Sequence, residues 1–105
     1  MIIDFDTSIK DIITLAQKNN ISINDNSLNA MLKMIDHGIN TTKHPILELD
    51  NYGSFYFAWN DSMVLMFNNS GNYKLSYVMG VNRGDITSNE PQFIIDLIEK
   101  LLCSN

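Results

Sequence analysis

The side chains able to bind a metal or attack an electrophile are few in this chain. His37 and His44 are the only imidazoles, and Cys103 is the only thiol. A zinc site built on the two histidines would need carboxylates such as Asp36 or Glu48, and no His-x-x-x-His or comparable spacing is present. His37 instead closes a helical stripe, where the helix dipole favours a partly charged imidazole. His44 precedes Pro45 in a loop, and Cys103 has no adjacent base. No serine sits in a nucleophile-elbow context, and there is no glycine-rich phosphate loop. The expectation is no metal, no cofactor and no enzymatic activity.

One short segment argues the other way. Ile2-Ile3-Asp4-Phe5-Asp6-Thr7-Ser8 resembles the first motif of the haloacid dehalogenase-type phosphatases, an apolar strand followed by Asp-x-Asp and a hydroxyl residue. The resemblance implies Asp4 as nucleophile, Asp6 as general acid, magnesium between them and Ser8 in the hydroxyl position. That family needs a parallel, doubly wound sheet, and no βαβ unit follows residue 8. The segment reads instead as a solvated lead into a helix.

Composition narrows the classes further. The chain has 105 residues, 45% hydrophobic and 18% charged, with 12 acids against 7 bases and a net charge of −5. This fits a single globular domain over 1–105 that is too apolar to be disordered. One cysteine excludes a disulfide framework. No apolar run is long enough to span a membrane, and the start lacks the basic and apolar regions of a signal peptide, so the expected compartment is the cytoplasm. Nucleic-acid binding is disfavoured, since Arg83 is the only arginine and the lysines are scattered. A helix-turn-helix over Thr14–Lys18 and Ser27–Ala30 also fails, because Asn19 to Asn26 is too long a link.

The elements that would position any site come from hydrophobic period. Ile9, Ile12, Ile13 and Ala16 mark one helical face, capped by Thr7 or Ser8 and left through Asn19 and Asn20. Leu28, Met31, Leu32 and Ile35 mark a second, beginning at Asp25, Asn26 or Ser27 and ending at Gly38. After Pro45 the period becomes two. Residues 46–50, 54–59, 62–67 and 73–79 form short strands separated by turn residues, which predicts a four-stranded antiparallel meander. Gly80 to Asn89 reads as a loop, and Pro91 opens a C-terminal helix with Phe93, Ile94, Leu97, Ile98 and Leu101 on its face. The fold class is α+β.

Loop parity assigns the sheet faces. Taking 50–53 and 60–61 as even loops and 68–72 as odd puts Leu47, Leu49, Tyr56, Ala58, Met63, Leu65, Phe67, Tyr73, Leu75 and Tyr77 together. Ile46, Glu48, Phe55, Phe57, Trp59, Val64, Met66, Lys74, Ser76 and Val78 share the other face. Three aromatics beside Glu48, Lys74 and Ser76 mark that second face as the open one. Aromatic anchors are enriched in protein interfaces. The partner-binding residues expected are therefore Phe55, Phe57 and Trp59, with Glu48, Asp50 and Asp61 as an acidic rim for a basic partner.

The order of helical hairpin, Pro45, Ile46-x-Glu48-x-Asp50-x-x-Gly53-x-Phe55-x-Phe57-x-Trp59, meander and closing helix resembles a group of small bacterial and phage proteins of immunity, antitoxin-like and anti-defence type. The likeness covers residues 7–79 and rests on spacing and turn residues. It implies a non-enzymatic protein that inhibits a toxin, nuclease or defence complex by stoichiometric binding. The alternative is an assembly subunit that dimerises through the 46–50 or 73–79 edge strand or through the aromatic face.

Overall fold

The computed structural model describes residues 5–38, 45–59 and 62–103. Two helices, α1 (Phe5–Lys18) and α2 (Asp25–Asp36), precede strands β1 (Ile46–Leu49), β2 (Phe55–Trp59), β3 (Met63–Phe67), β4 (Tyr73–Met79) and β5 (Asn82–Ser88), and helix α3 (Pro91–Cys103) closes the fold. The strands form one antiparallel sheet in sequence order, β1-β2-β3-β4-β5. The α+β class is as expected, but the meander has five strands. Residues 82–88, read from sequence as loop, pair with β4 along their whole length from Tyr73↔Ser88 to Met79↔Asn82. Gly80, with φ of 64°, allows the two-residue turn that brings them back.

The helix ends follow from local chemistry. Asn20 takes a left-handed φ of 56°, and the Ile21 N–H reaches back to the Ala16 carbonyl at 2.9 Å, so α1 ends where its asparagines fall. Gly38 does the same after α2, with φ of 89°. The N-cap of α2 is Asn24, one residue before the expected candidates; its side chain accepts the Ser27 N–H at 3.0 Å. The buried face of α2 is Ser27, Ala30, Met31 and Met34, rotated from the expected stripe, and Leu32 is exposed.

Register is set by two loops of one design. In both, an Asx residue accepts, through its side chain, the backbone N–H four residues on: Asp50 from Ser54 and Asn68 from Asn72, each at 3.0 Å. The N–H of a left-handed glycine, Gly53 or Gly71, bonds back to the first carbonyl. Both loops therefore hold five residues, closing on Leu49↔Phe55 and Phe67↔Tyr73. The β2–β3 connection lies between Trp59↔Met63 and is also odd. The pattern of turn residues predicts even lengths for both of the first two loops. The two errors cancel for β3 and leave β2 turned over.

The consequence is a different core. Phe55, Phe57 and Trp59 point to the same side as Leu47, Met63, Leu65, Phe67, Tyr73 and Leu75, where α2 and α3 cover them. Phe57 meets Trp59 and Phe67 edge-to-face, with ring centroids 6.2 Å and 5.2 Å apart, and Phe67 meets Tyr73 likewise at 5.9 Å. Helices α2 and α3 lie on this side of the sheet, and α1 packs beside β1.

Candidate protein-interaction surface

The surface opposite the helices is built by alternation. Residues next to the core positions of each strand turn outward: Ile46 and Glu48 of β1, Tyr56 and Ala58 of β2, Val64 and Met66 of β3. They are joined by Lys74, Ser76 and Val78 of β4 and by Arg83, Asp85 and Thr87 of β5. None of these residues is buried. Ile46 and Val78 are 62% and 53% exposed, which is high for large apolar side chains on a sheet. Val64, Met66 and Tyr56 are half-buried.

One polar pair on this face is hydrogen-bonded across strands. The Tyr56 hydroxyl donates to the Glu48 carboxylate at 2.5 Å, from the directly opposed position on β1. This bond, then burial, then the negative charges of Glu48 and Asp50, push the Tyr56 phenol up to about 12. Across the sheet, Lys74 stands opposite Met66 and Thr87, and Ser76 opposite Val64 and Asp85. A groove of about 350 Å³ crosses the far end of this face, lined by Val64, Ser76, Val78, Arg83 and Asp85 among others. A second, of about 410 Å³, runs between α1 and the β1 edge and has Tyr56 and Glu48 at its rim.

The expected site residues are therefore dispersed. Phe55 and Phe57 are 0% exposed and Trp59 3%, so they anchor the core and not a partner. Glu48 is on the open face. Asp50 is committed to its own loop, accepting the N–H groups of Tyr52 and Ser54. Asp61 lies outside the described residues, as do His44, Asp4 and the side chains of Asp6 and Cys103. His37 caps α2 and hydrogen-bonds the Lys33 carbonyl through Nδ1 at 3.0 Å. Strand 73–79 is no edge, because β5 covers it. What sequence reasoning missed is β5, with Arg83, Asp85 and Thr87 on the open face. The available signal was Gly80-Val81 as a two-residue turn after an apolar strand, followed by alternation through Ile86.

Comparison with known proteins adds no relative. No family model, curated protein or solved structure matches this chain. Among the described residues, no three His, Cys, Asp or Glu side chains gather as metal ligands, and no buried polar side-chain atom lacks a partner. At the loop end of the sheet a polar network is closed on itself: Ser54 Oγ donates to Asn69 Oδ1 and Asn26 Nδ2 to the Asn69 carbonyl. No helix of the described residues is long and apolar enough to cross a membrane.

Proposed function

We propose that this chain is a non-enzymatic protein-binding module of inhibitor or immunity type, and that it engages its partner with the uncovered sheet face. The observation that carries the reading is the one-sided architecture. Helices cover one face, while the other presents Ile46 and Val78 largely exposed around half-buried Val64, Met66 and Tyr56. Apolar centre with charged margin is the anatomy of a protein interface. Glu48, Lys74, Arg83 and Asp85 supply that margin. The net charge of −5 favours a basic partner, whose association slows as salt screens the attraction.

The test compares Val78→Asp, on the face, with Leu32→Asp, an exposed leucine of α2 on the helix side of the sheet. Both variants should keep the circular dichroism of the wild type. A partner captured by wild type and Leu32→Asp but lost with Val78→Asp supports the reading. A partner retained by Val78→Asp and lost with Leu32→Asp moves the interface to the helices and refutes it.

A further inference from the structure

We infer that the outer edge of β5 pairs antiparallel with β5 of a second copy of this chain, in a single register centred on Gly84. This interface shares Arg83 and Asp85 with the margin of the partner-binding face proposed above but does not depend on that reading. Strand β5 is last in the sheet order, and no strand of the described residues pairs with its outer edge. The direction of its backbone groups is fixed by the β3–β4–β5 ladder. The Val78 N–H bonds the Ser62 carbonyl at 2.8 Å, so even-numbered residues of β4 bond toward β3 and odd-numbered ones toward β5. Tyr77 opposes Gly84 and Leu75 opposes Ile86, so Gly84 and Ile86 bond inward. The N–H and C=O groups of Arg83, Asp85 and Thr87 are left pointing outward.

An antiparallel pair of identical strands must match outward residues with outward residues, which permits dyads at residue 83, 84 or 85. A dyad at 83 sets Arg83 against Arg83 of the second copy, and one at 85 sets Asp85 against Asp85; like charges directly opposed are unfavourable. A dyad at Gly84 places Arg83 opposite Asp85 twice, in hydrogen-bonded pairs with all four side chains on the open face. It also sets Val81, 97% exposed in the β4–β5 turn, opposite Thr87. The edge is thus complementary to itself in one register and repelled in the two nearest.

The helix layer fits the same dyad. Strand β5 has its helix-facing residues bonded toward β4, so the handedness of L-residues puts β5 to the left of β4 when β5 points up, seen from the helices. Helix α3 packs back over β4 and β5 after a two-residue link. Its right-handed turn then directs Phe93 and Leu97 to the outer side, away from α2. Phe93 is 49% exposed there. With α3 seated between β4 and β5, dyad-related helices would stand about 10 Å apart, a normal packing distance. The product is a continuous ten-stranded sheet with both open faces on one side.

Light scattering after size exclusion, from micromolar to near-millimolar chain, tests this. Wild type should approach twice the 12.0 kDa chain mass at the higher concentrations. Arg83→Glu and Asp85→Arg each put like charges in both cross-strand pairs and should weaken dimerisation by about tenfold or more. Mixed in equal amounts, the two variants are complementary and should form a heterodimer. Thr87→Pro removes one outward N–H without touching the β4 ladder and should give a folded monomer. Wild type monomeric throughout, or a dimer of unchanged affinity in all three variants, would overturn the inference.

Discussion

Ser27 shows how much a single hydroxyl can hold. It is fully buried at the start of α2, accepts the Phe55 N–H at 2.8 Å and donates to the Phe67 carbonyl. Phe55 and Phe67 would be the next pair of the β2–β3 ladder, so the hydroxyl stands in for a direct strand bond. Ser27→Ala would strand a buried donor and acceptor, and urea unfolding should show a loss of about 1–3 kcal/mol. At Gly53, with φ of 80°, a Cβ would lie 2.0 Å from the Ser22 carbonyl oxygen. Gly53→Ala should cost at least ~3 kcal/mol by the same measurement, since backbone opposes backbone there. Tyr56 gives a pH signature. Its phenol is raised in the fold, so the stability it contributes is complete below its ordinary pKa of 10.0 and is lost as pH rises through about 12. Ultraviolet titration should show late ionisation, with Glu48→Gln bringing it earlier. Burial raises Tyr73 as well, in the same direction. At this scale the sequence was legible where partners are local: Asn20 and Gly38 end their helices as expected. Ser27 was not, because the groups it joins lie 28 and 40 residues away.

Strand β2 is the element on which the functional reading turned. Its alternation Phe55, Phe57, Trp59 against Tyr56, Ala58 is plain in the sequence; which set faces inward depends on the parity of the two loops that flank it. Asp50-Asn51-Tyr52-Gly53-Ser54 and Asn68-Asn69-Ser70-Gly71-Asn72 share the pattern Asx-x-x-Gly-x, and the second was correctly counted as five residues. Applying that count to the first sets the aromatics beside Leu47 and Leu49, and a three-residue β2–β3 connection is needed as well to set them beside Met63, Leu65 and Phe67. Strand β5 escaped for a different reason: its glycine and charges hide the period, and Tyr77 supplies the packing that Gly84 lacks. A Cβ on Gly84 would come within 2.9 Å of the Tyr77 hydroxyl oxygen, so the ring lies over the glycine. The corrected register makes a clear prediction. Phe57→Ala and Trp59→Ala should each cost about 3–5 kcal/mol in chemical denaturation, whereas Ala58→Ser should change stability by about 0.5 kcal/mol or less.

For the molecule as a whole, the α+β class and the helix-meander-helix order were readable because they depend only on periodicity and short connections. The open face was read in part: Ile46, Glu48, Val64, Met66, Lys74, Ser76 and Val78 do share it. The layer of helices is not uniform. Helix α2 sits over the central strands β2 and β3 and α3 over β4 and β5, while α1 packs against the edge strand β1 and leaves Leu15 exposed. Native-state hydrogen exchange should therefore release the amides of α1 before those of α2 and α3. Equal protection of all three helices would contradict this.

The uncovered face separates two demands that most small domains must meet with the same residues. Folding draws on Phe55, Phe57, Trp59 and the helices behind them, while Ala58, Val64, Met66 and Val78 lie outside the buried cluster. Such positions can accept new side chains at little thermodynamic penalty. The scaffold is accordingly free to be retargeted: a library randomised on this face alone should yield mostly folded clones with altered recognition.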